Sequence, residues 1–240
     1  MVEIVIDGNV IDRYPVEAGI PQDSPVSPIL FTIYMSGLIE QVKESVAGAE
    51  GLYLVDDVGS VAMRNDVNHV IRNLETNARV SIDWGERQGM ECDTAKTEAG
   101  LFTPGRGHMK HLSPRPTARI RVGNGFVRFN REATRWLGVW MDAHLTFKEH
   151  HNRCMKKARA ADARLRSLTG THGVVPACVR AVHIACVQAV ALYGSKLWSD
   201  PTGGSRLVDI QLLLNLQARS TLGALPTTPR GMLIRDSGLT

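Results

Sequence analysis

Apolar and polar positions alternate across VEIVIDGNVIDRYPV (residues 2–16), on both sides of Asp7-Gly8-Asn9. A period of two marks a half-buried strand, and Gly and Asn accept the positive φ of a tight turn, so this stretch predicts a β-hairpin. The next segment, EAGIPQDSPVSPILFTIYMSGLIEQVKESV, holds Pro21, Pro25 and Pro28 in its first half, which must be a loop. Its second half carries Leu30, Ile33, Tyr34, Leu38 and Val42 at helical spacing. Ser27-Pro28 predicts the helix start, a cap residue with proline at the first helical position.

GLYLVDDVGSV (51–61) reads as strand, turn and strand, with Asp56 and Asp57 at the turn. Residues 66–90 predict a helix with Val67, Val70, Ile71, Leu74, Ala78 and Ile82 on one face. CDTAKTEAGLF (92–102) predicts a short turn and then a strand, and residues 103–118, rich in Pro, Gly and basic side chains, predict a loop. RIRVGNGFVRFN (119–130) predicts a second hairpin turning at Gly123-Asn124-Gly125, and RWLGVWM (135–141) a further strand. Beyond Asp142 the period becomes helical. Thr146 and Glu149 have the spacing of a capping box ahead of a helix reaching about Leu168. Phe147, Cys154, Ala158, Ala161, Leu165 and Leu168 follow one side of it, and Arg153, Lys156, Lys157, Arg159, Arg164 and Arg166 much of the rest. Pro176 opens an apolar helix, Gly203-Gly204 links, and 206–222 predicts a further helix ended by Gly223. The pattern is therefore α+β to about residue 143 and all-helical afterwards.

Composition narrows this picture. The chain has 240 residues, 43 % of them apolar, enough to fill the core of one large domain or two small ones and unlike a disordered chain. The longest apolar run, residues 174–194, contains Arg180, His183 and Gln188, which favours a buried helix over a membrane span. No basic leader precedes an apolar segment, so no secretory signal is expected. Cys92, Cys154, Cys178 and Cys186 form no CxxC pair, and free thiols in an intracellular protein are expected. The chain opens inside a strand-like segment and stops at RDSGLT, the look of a piece cut from something longer.

The net charge of +4 conceals a segregation: residues 1–100 balance at −10, residues 101–166 at +11 and the remainder at +3. A basic block of that size is either a solvated surface or a face for a polyanion.

The adjacent aspartates raise the chemical question. In a continuous strand Asp56 and Asp57 would point to opposite faces, whereas at a hairpin tip both can address one spot. Two carboxylates about 4 Å apart repel by about 1 kcal/mol in water and about 4 kcal/mol near a protein surface. A divalent cation removes that cost, and hard oxygen ligands suit Mg²⁺ bound with substrate phosphates. The chemistry such a site supports is phosphoryl or nucleotidyl transfer. The competing reading is plain: Asp-Asp is also an ordinary turn dipeptide.

GIPQDSPVSPILF (19–31), LVDD (54–57), AKTE (95–98) and WLGVWMDAHLTFKEH (136–150), in that order and spacing, resemble the polymerase core of reverse transcriptases. The likeness extends through PACVRAV and ALYGS, and is to non-LTR retrotransposon enzymes of the type common in fungal genomes. It implies RNA-directed DNA synthesis by two-metal nucleotidyl transfer, with Mg²⁺ (or Mn²⁺) as cofactor. The implied partners are an RNA template, a DNA primer and dNTPs, inside the nucleus or cytoplasm and away from membranes. The implied fold is part of a right-hand palm over residues 1–143, an antiparallel sheet with packed helices. A helical thumb and following helices would occupy 144–240.

By the same resemblance Asp56 and Asp57 are the catalytic, metal-binding carboxylates. Pro21, Gln22, Asp23, Ser24 and Pro25 match the loop that positions template and nucleotide. Lys96 matches the lysine that approaches the incoming triphosphate, though by type alone it is a surface lysine. Trp136, Leu137 and Gly138 match the hairpin that grips the primer end. Arg153, Lys156, Lys157, Arg159 and Arg164 are the side chains implied to follow the nucleic-acid backbone.

Two departures count against activity of this chain alone. Position 23 is Asp where the family has Gly, which adds bulk and negative charge beside phosphates. The family's first catalytic aspartate lies on a strand upstream of this loop, and Asp7 and Asp12 lie in a hairpin, the wrong context to replace it. A different class of reading is a non-catalytic remnant that holds nucleic acid by charge over residues 106–166. A third, a metal module from His108, His111, His150, His151 and Cys154, fits no zinc spacing well.

Overall fold

The computed structural model describes residues 2–7, 9–14, 19, 24–45, 49–54, 57–64, 66–102, 118–166, 173–199 and 204–239. They fall into two compact units, Met1–Thr97 with Pro114–Val127, and Glu98–Ser113 with Arg128–Thr240.

The first unit opens on the hairpin that alternation predicts, β1 (Val2–Ile6) against β2 (Asn9–Tyr14), with a register shift between Ile4 and Val5. Helix α1 (Ser27–Ser45) starts where the Ser24 carbonyl accepts the Ser27 N–H at 3.1 Å. Pro28 sits in the first turn, where a backbone N–H would have no helical acceptor. The buried stripe of α1 is Met35, Leu38 and Val42, with Phe31 packed beside it. Leu30 and Ile33, expected on that stripe, are exposed. Helix α1 is apolar around much of its circumference, so periodicity could not choose a face. Trp84 on α2 (Val67–Arg87) chooses it by packing into the Met35–Leu38–Val42 cluster. Tyr34 lies at the margin, its ring edge-on to Trp84 at 5.7 Å and its hydroxyl donating to the Gln88 carbonyl at 2.9 Å.

Between these helices β3 (Ala49–Leu54) and β4 (Asp57–Ala62) form an antiparallel hairpin. Helix α2 is capped by Asp66, whose carboxylate accepts the Asn68 N–H at 3.1 Å. Its expected face, Val67 to Ile82, is withdrawn from solvent at every named position. After α2, Asp93 accepts the Ala95 N–H at 3.2 Å and closes a 3₁₀ turn over Thr94–Lys96. The hairpin β5 (Arg119–Val122) and β6 (Gly125–Arg128) turns at Gly123, whose φ is +56°, and buries Ile120 and Val122.

In the second unit, the strand expected at the end of 92–102 is reduced to one parallel bridge between Ala99 and Phe129. Residues 135–141, expected as one strand, are a hairpin: β7 (Ala133–Trp136) pairs with β8 (Val139–Asp142) around Leu137 and Gly138. Positive φ at both turn residues, +46° and +80°, reverses the chain. Helix α3 (Lys148–Leu165) follows with half of the expected capping box: Thr146 Oγ1 donates to Asp142 and lies 3.4 Å from Lys148 N, but Glu149 accepts from Arg153 Nε at 2.6 Å. Pro176 does start α4 (Pro176–Val182), which runs through a π turn at His183–Gln188 into α5 (Ala189–Ala191). Then come α6 (Ser195–Trp198), α7 (Ser205–Leu222), ended as expected at Gly223 with φ +62°, and α8 (Arg230–Ser237).

The core of this unit is Met155 and Ala158 of α3, Val187, Ala191 and Leu213. A smaller cluster of Ala218, Leu233 and Leu239 joins α7 to α8. Fully enclosed in the unit is Asp162, whose Oδ2 takes two bonds from Arg166 at 2.6 and 2.9 Å. His183, equally enclosed, has its pKa lowered by burial against the opposing pull of Asp162, so it stays neutral. Among the described residues no helix is long and apolar enough to cross a membrane.

The choice of face on α1 is open to measurement. Leu38→Ala, at 2 % exposure, is expected to lower unfolding free energy by about 2–5 kcal/mol in urea denaturation. Ile33→Ala, at 64 % exposure, is expected to change it by less than about 0.5 kcal/mol.

Candidate functional site

The register of the β3–β4 hairpin runs from Ala49 opposite Ala62 to Leu54 opposite Asp57, leaving Val55 and Asp56 between the paired ends. Asp57 is thus the first residue of β4, exposed, beside the reversal of the chain. Asp56 lies outside the described residues. Among the described residues Asp57 has no cationic partner, and no group of three or more His, Cys, Asp or Glu side chains is gathered as a metal cage. The donor chemistry suits a hard divalent ion. Its remaining ligands would have to come from Asp56, from other chain segments or from substrate phosphates.

Of the loop expected to position template and nucleotide, Pro21, Gln22 and Asp23 lie outside the described residues. Ser24 serves as the bracket of α1: its carbonyl takes Ser27 N–H and its hydroxyl lies 3.4 Å from Val26 N. Pro25 follows in the turn that enters the helix. Lys96 ends the 3₁₀ turn with Nζ 2.7 Å from Asp93 Oδ2. The hydrogen bond to Asp93 raises the Lys96 pKa and lowers that of Asp93, so both are charged. Both side chains are exposed, and solvent and salt screen an exposed ion pair to little net stabilisation. A phosphate could therefore exchange with Asp93 at little cost.

The second unit builds its own feature from Trp136, Leu137 and Gly138. Trp136 closes β7, and Leu137 and Gly138 are the two turn residues. A left-handed φ at Leu137 is strained for a side chain with a Cβ, so something must hold it. The Tyr193 hydroxyl donates to the Leu137 carbonyl at 2.7 Å. Its ring lies so near the turn that a Cβ on Gly138 would come within 3.0–3.2 Å of it. The main-chain carbonyl of Tyr193 accepts from His150 Nε2 and from Trp198 Nε1, each at 2.9 Å. His150 Nδ1 in turn accepts the Trp140 N–H at 3.3 Å, which assigns the proton to Nε2. With both nitrogens committed to main-chain groups, His150 has no lone pair left for a metal. His151 is edge-on to Trp198 at 5.1 Å, its Nε2 3.4 Å from Asp209. His108 and His111 lie outside the described residues, so the His/Cys metal module has no support from those described.

On α3 the basic side chains divide. Arg153 lies 3.9 Å over the Trp140 ring and binds Glu149, and Arg159 Nη2 binds Asp209 Oδ1 at 2.9 Å. Lys156 and Lys157 are exposed, with no ion-pair partner among the described residues, and Arg164 is exposed. This face can meet phosphates through the lysines at once, and through the arginines by exchanging an acid partner.

Sequence reasoning missed Tyr193 and Asp142. Asp142 accepts the His144 N–H at 3.2 Å and both the N–H and the hydroxyl of Thr146 at 3.0 Å, tying β8 to the approach of α3. The signal for it was an Asp four residues before a Thr at a strand end, and for Tyr193 a Tyr-Gly pair at a helix end. Burial alone would raise the Asp142 pKa, but these bonds outweigh it and hold the carboxyl below its ordinary value.

Three relatives are similar to the chain over much of its length. A probable RNA-directed DNA polymerase from transposon BS of Drosophila melanogaster is 27 % identical over 207 residues, 85 % of this chain and 22 % of that protein. The RNA-directed DNA polymerase from mobile element jockey of the same fly is 21 % identical over 237 residues, 97 % of this chain and 24 % of that protein. A retrovirus-related Pol polyprotein from type-1 retrotransposable element R1 2 of Nasonia vitripennis is 28 % identical over 134 residues, 55 % of this chain and 31 % of that protein. The chain thus spans between a fifth and a third of the length of these relatives. All three come from insects, so the fungal affinity expected from the sequence has no support among them. No protein-family model matches the chain, and no solved structure matches it.

Two measurements check the geometry of the second unit. Tyr193→Phe, which removes only the bond to the Leu137 carbonyl, is expected to cost about 0.5–1.5 kcal/mol in denaturant unfolding. Asp142 carries the pH dependence: its folded pKa is lowered, so its stabilisation is present above the ordinary carboxylate range and lost as pH falls through the folded value. The melting temperature of Asp142→Asn is expected to trail the parent most at neutral pH and to converge with it only as pH falls below the ordinary carboxylate range.

Proposed function

We propose that the chain is the rear palm and thumb of a non-LTR retrotransposon reverse transcriptase, built for template-directed DNA synthesis from RNA. The observation that carries this reading is the likeness to insect mobile-element polymerases over 85 and 97 % of the chain. It is supported by a hairpin that places Asp57, exposed, at the strand end where it pairs with Leu54.

In this reading Asp56 and Asp57 hold Mg²⁺ or Mn²⁺ with the nucleotide phosphates. The ion, when bound, lowers the cost of charge on the attacking and leaving oxygens of nucleotidyl transfer. Lys96 stays protonated next to Asp93 and offers its ammonium to the triphosphate, where it offsets charge on the departing pyrophosphate. The loop from Pro21 to Pro25 orients template and nucleotide. The Trp136–Leu137–Gly138 turn, held rigid by Tyr193, orients the primer end, because a positioned terminus needs a turn that cannot give. Lys156, Lys157 and Arg164, with Arg153 and Arg159, follow the backbone of the primer–template.

Asp23 opposes synthesis by placing a carboxylate beside phosphates, so the 240-residue chain is expected to extend a primer at background level only. Joined to the upstream polymerase segment of a relative and carrying Asp23→Gly, it is expected to extend a DNA primer on RNA with Mg²⁺. Asp57→Asn in that joined protein is expected to return synthesis to background, and unchanged activity there would sink the assignment.

A second reading, a nucleic-acid-binding remnant without catalysis, is favoured by the uncompensated lysines of α3. Primer–template affinity should then fall steeply with salt. Replacing Lys156 and Lys157 together by Gln is expected to reduce the slope of log K against log salt by about 1.8.

A further inference from the structure

The outward face of the β5–β6 hairpin carries an arrangement that the polymerase reading does not use. Ile120 and Val122 are buried, and α2 packs along β5, so alternation leaves Arg119 and Arg121 outside. On β6 Phe126 is 56 % exposed. Single exposed apolar side chains are common, but this one has a cation over it: Arg119 Cζ lies 4.0 Å from the ring centroid. Among the described residues neither Arg119 nor Arg121 has a carboxylate partner. The acid that does approach, Glu75, uses Oε1 on the main-chain N–H of Arg121 at 2.9 Å. The two arginines, two residues apart on one strand, stand about 6.6 Å from each other along it.

We infer that this face binds an unpaired nucleic-acid strand. A base stacks against the Phe126 ring and its Arg119 lid, and Arg121 meets a neighbouring phosphate. Charge selects a polyanion, in keeping with the +11 balance of residues 101–166. The ring then selects among polyanions, because only an unstacked base offers a free π face, and a duplex keeps its bases stacked inside. An acidic peptide would satisfy the arginines and leave the ring without a partner. The site is separate from Asp56 and Asp57 and makes no use of metal.

The test uses the full chain and two labelled probes, an oligothymidylate that cannot pair with itself and a blunt DNA duplex, followed by fluorescence anisotropy. Phe126→Leu keeps apolar volume and removes the π face. It is expected to weaken oligothymidylate binding about tenfold and to leave duplex binding within about twofold. Arg121→Gln is expected to lower the single-strand salt slope by about 0.7. Thermal melting of both variants should match the parent, since the replaced side chains are exposed. If Phe126→Leu melts early, the Arg121→Gln slope decides. The inference is overturned if the chain does not bind oligothymidylate or if Phe126→Leu binds it like the parent. Equal losses on both probes, or an acidic peptide that competes as well as the oligonucleotide, would overturn it too.

Discussion

Much of the second unit hangs on the two ends of one residue, Tyr193. Where the helix from Pro176 stops, its last carbonyls need donors from elsewhere. The Tyr193 carbonyl takes two, from His150 on α3 and from Trp198 on α6, while the hydroxyl reaches to the Leu137 carbonyl at the tip of the β7–β8 hairpin. Two helices and a strained turn are thus fixed by polar groups with little freedom to choose other partners. The His150 imidazole carries the link one step further, to the Trp140 N–H on β8. This is why an unfavourable backbone angle at Leu137 can persist: the surroundings over-determine it.

The two hairpins with functional readings solve different problems. At β3–β4 the pairing of Leu54 with Asp57 leaves Asp57 at the strand end, exposed and without a cationic partner among the described residues. At β7–β8 the reversal is braced by Tyr193, whose hydroxyl holds the Leu137 carbonyl. Likeness to insect mobile-element polymerases is the ground on which the proposed function gives both hairpins a part.

Charge is distributed with the same economy. Arg153 and Arg159 of α3, and Arg166 just beyond its end, have acid partners within the unit, and among the described residues Lys156 and Lys157 do not. A basic block read as a uniform phosphate track is in fact graded. Its lysines are available at once, Arg153 and Arg159 only by exchange, and Arg166 is bound to the enclosed Asp162. The hairpin Arg119–Arg128 adds a face of another kind, where cation and ring are already stacked.

The sequence by itself determined the elements whose signals are local. The start of α1 near Ser27-Pro28, the helix with its face from Val67 to Ile82, the Gly123 turn, the Pro176 start and the Gly223 stop are all set by short-range sterics and hydrogen bonds. It also carried the motif order that points to polymerases. Tertiary structure decided what local signals leave degenerate. Trp84 chose which side of an apolar helix is buried. Tyr193 made a turn of Leu137-Gly138, where alternation alone reads one strand. In both cases a partner distant in sequence makes a choice that local sterics leave open, through packing at Trp84 and through a hydrogen bond at Tyr193, the latter worth about 1 kcal/mol.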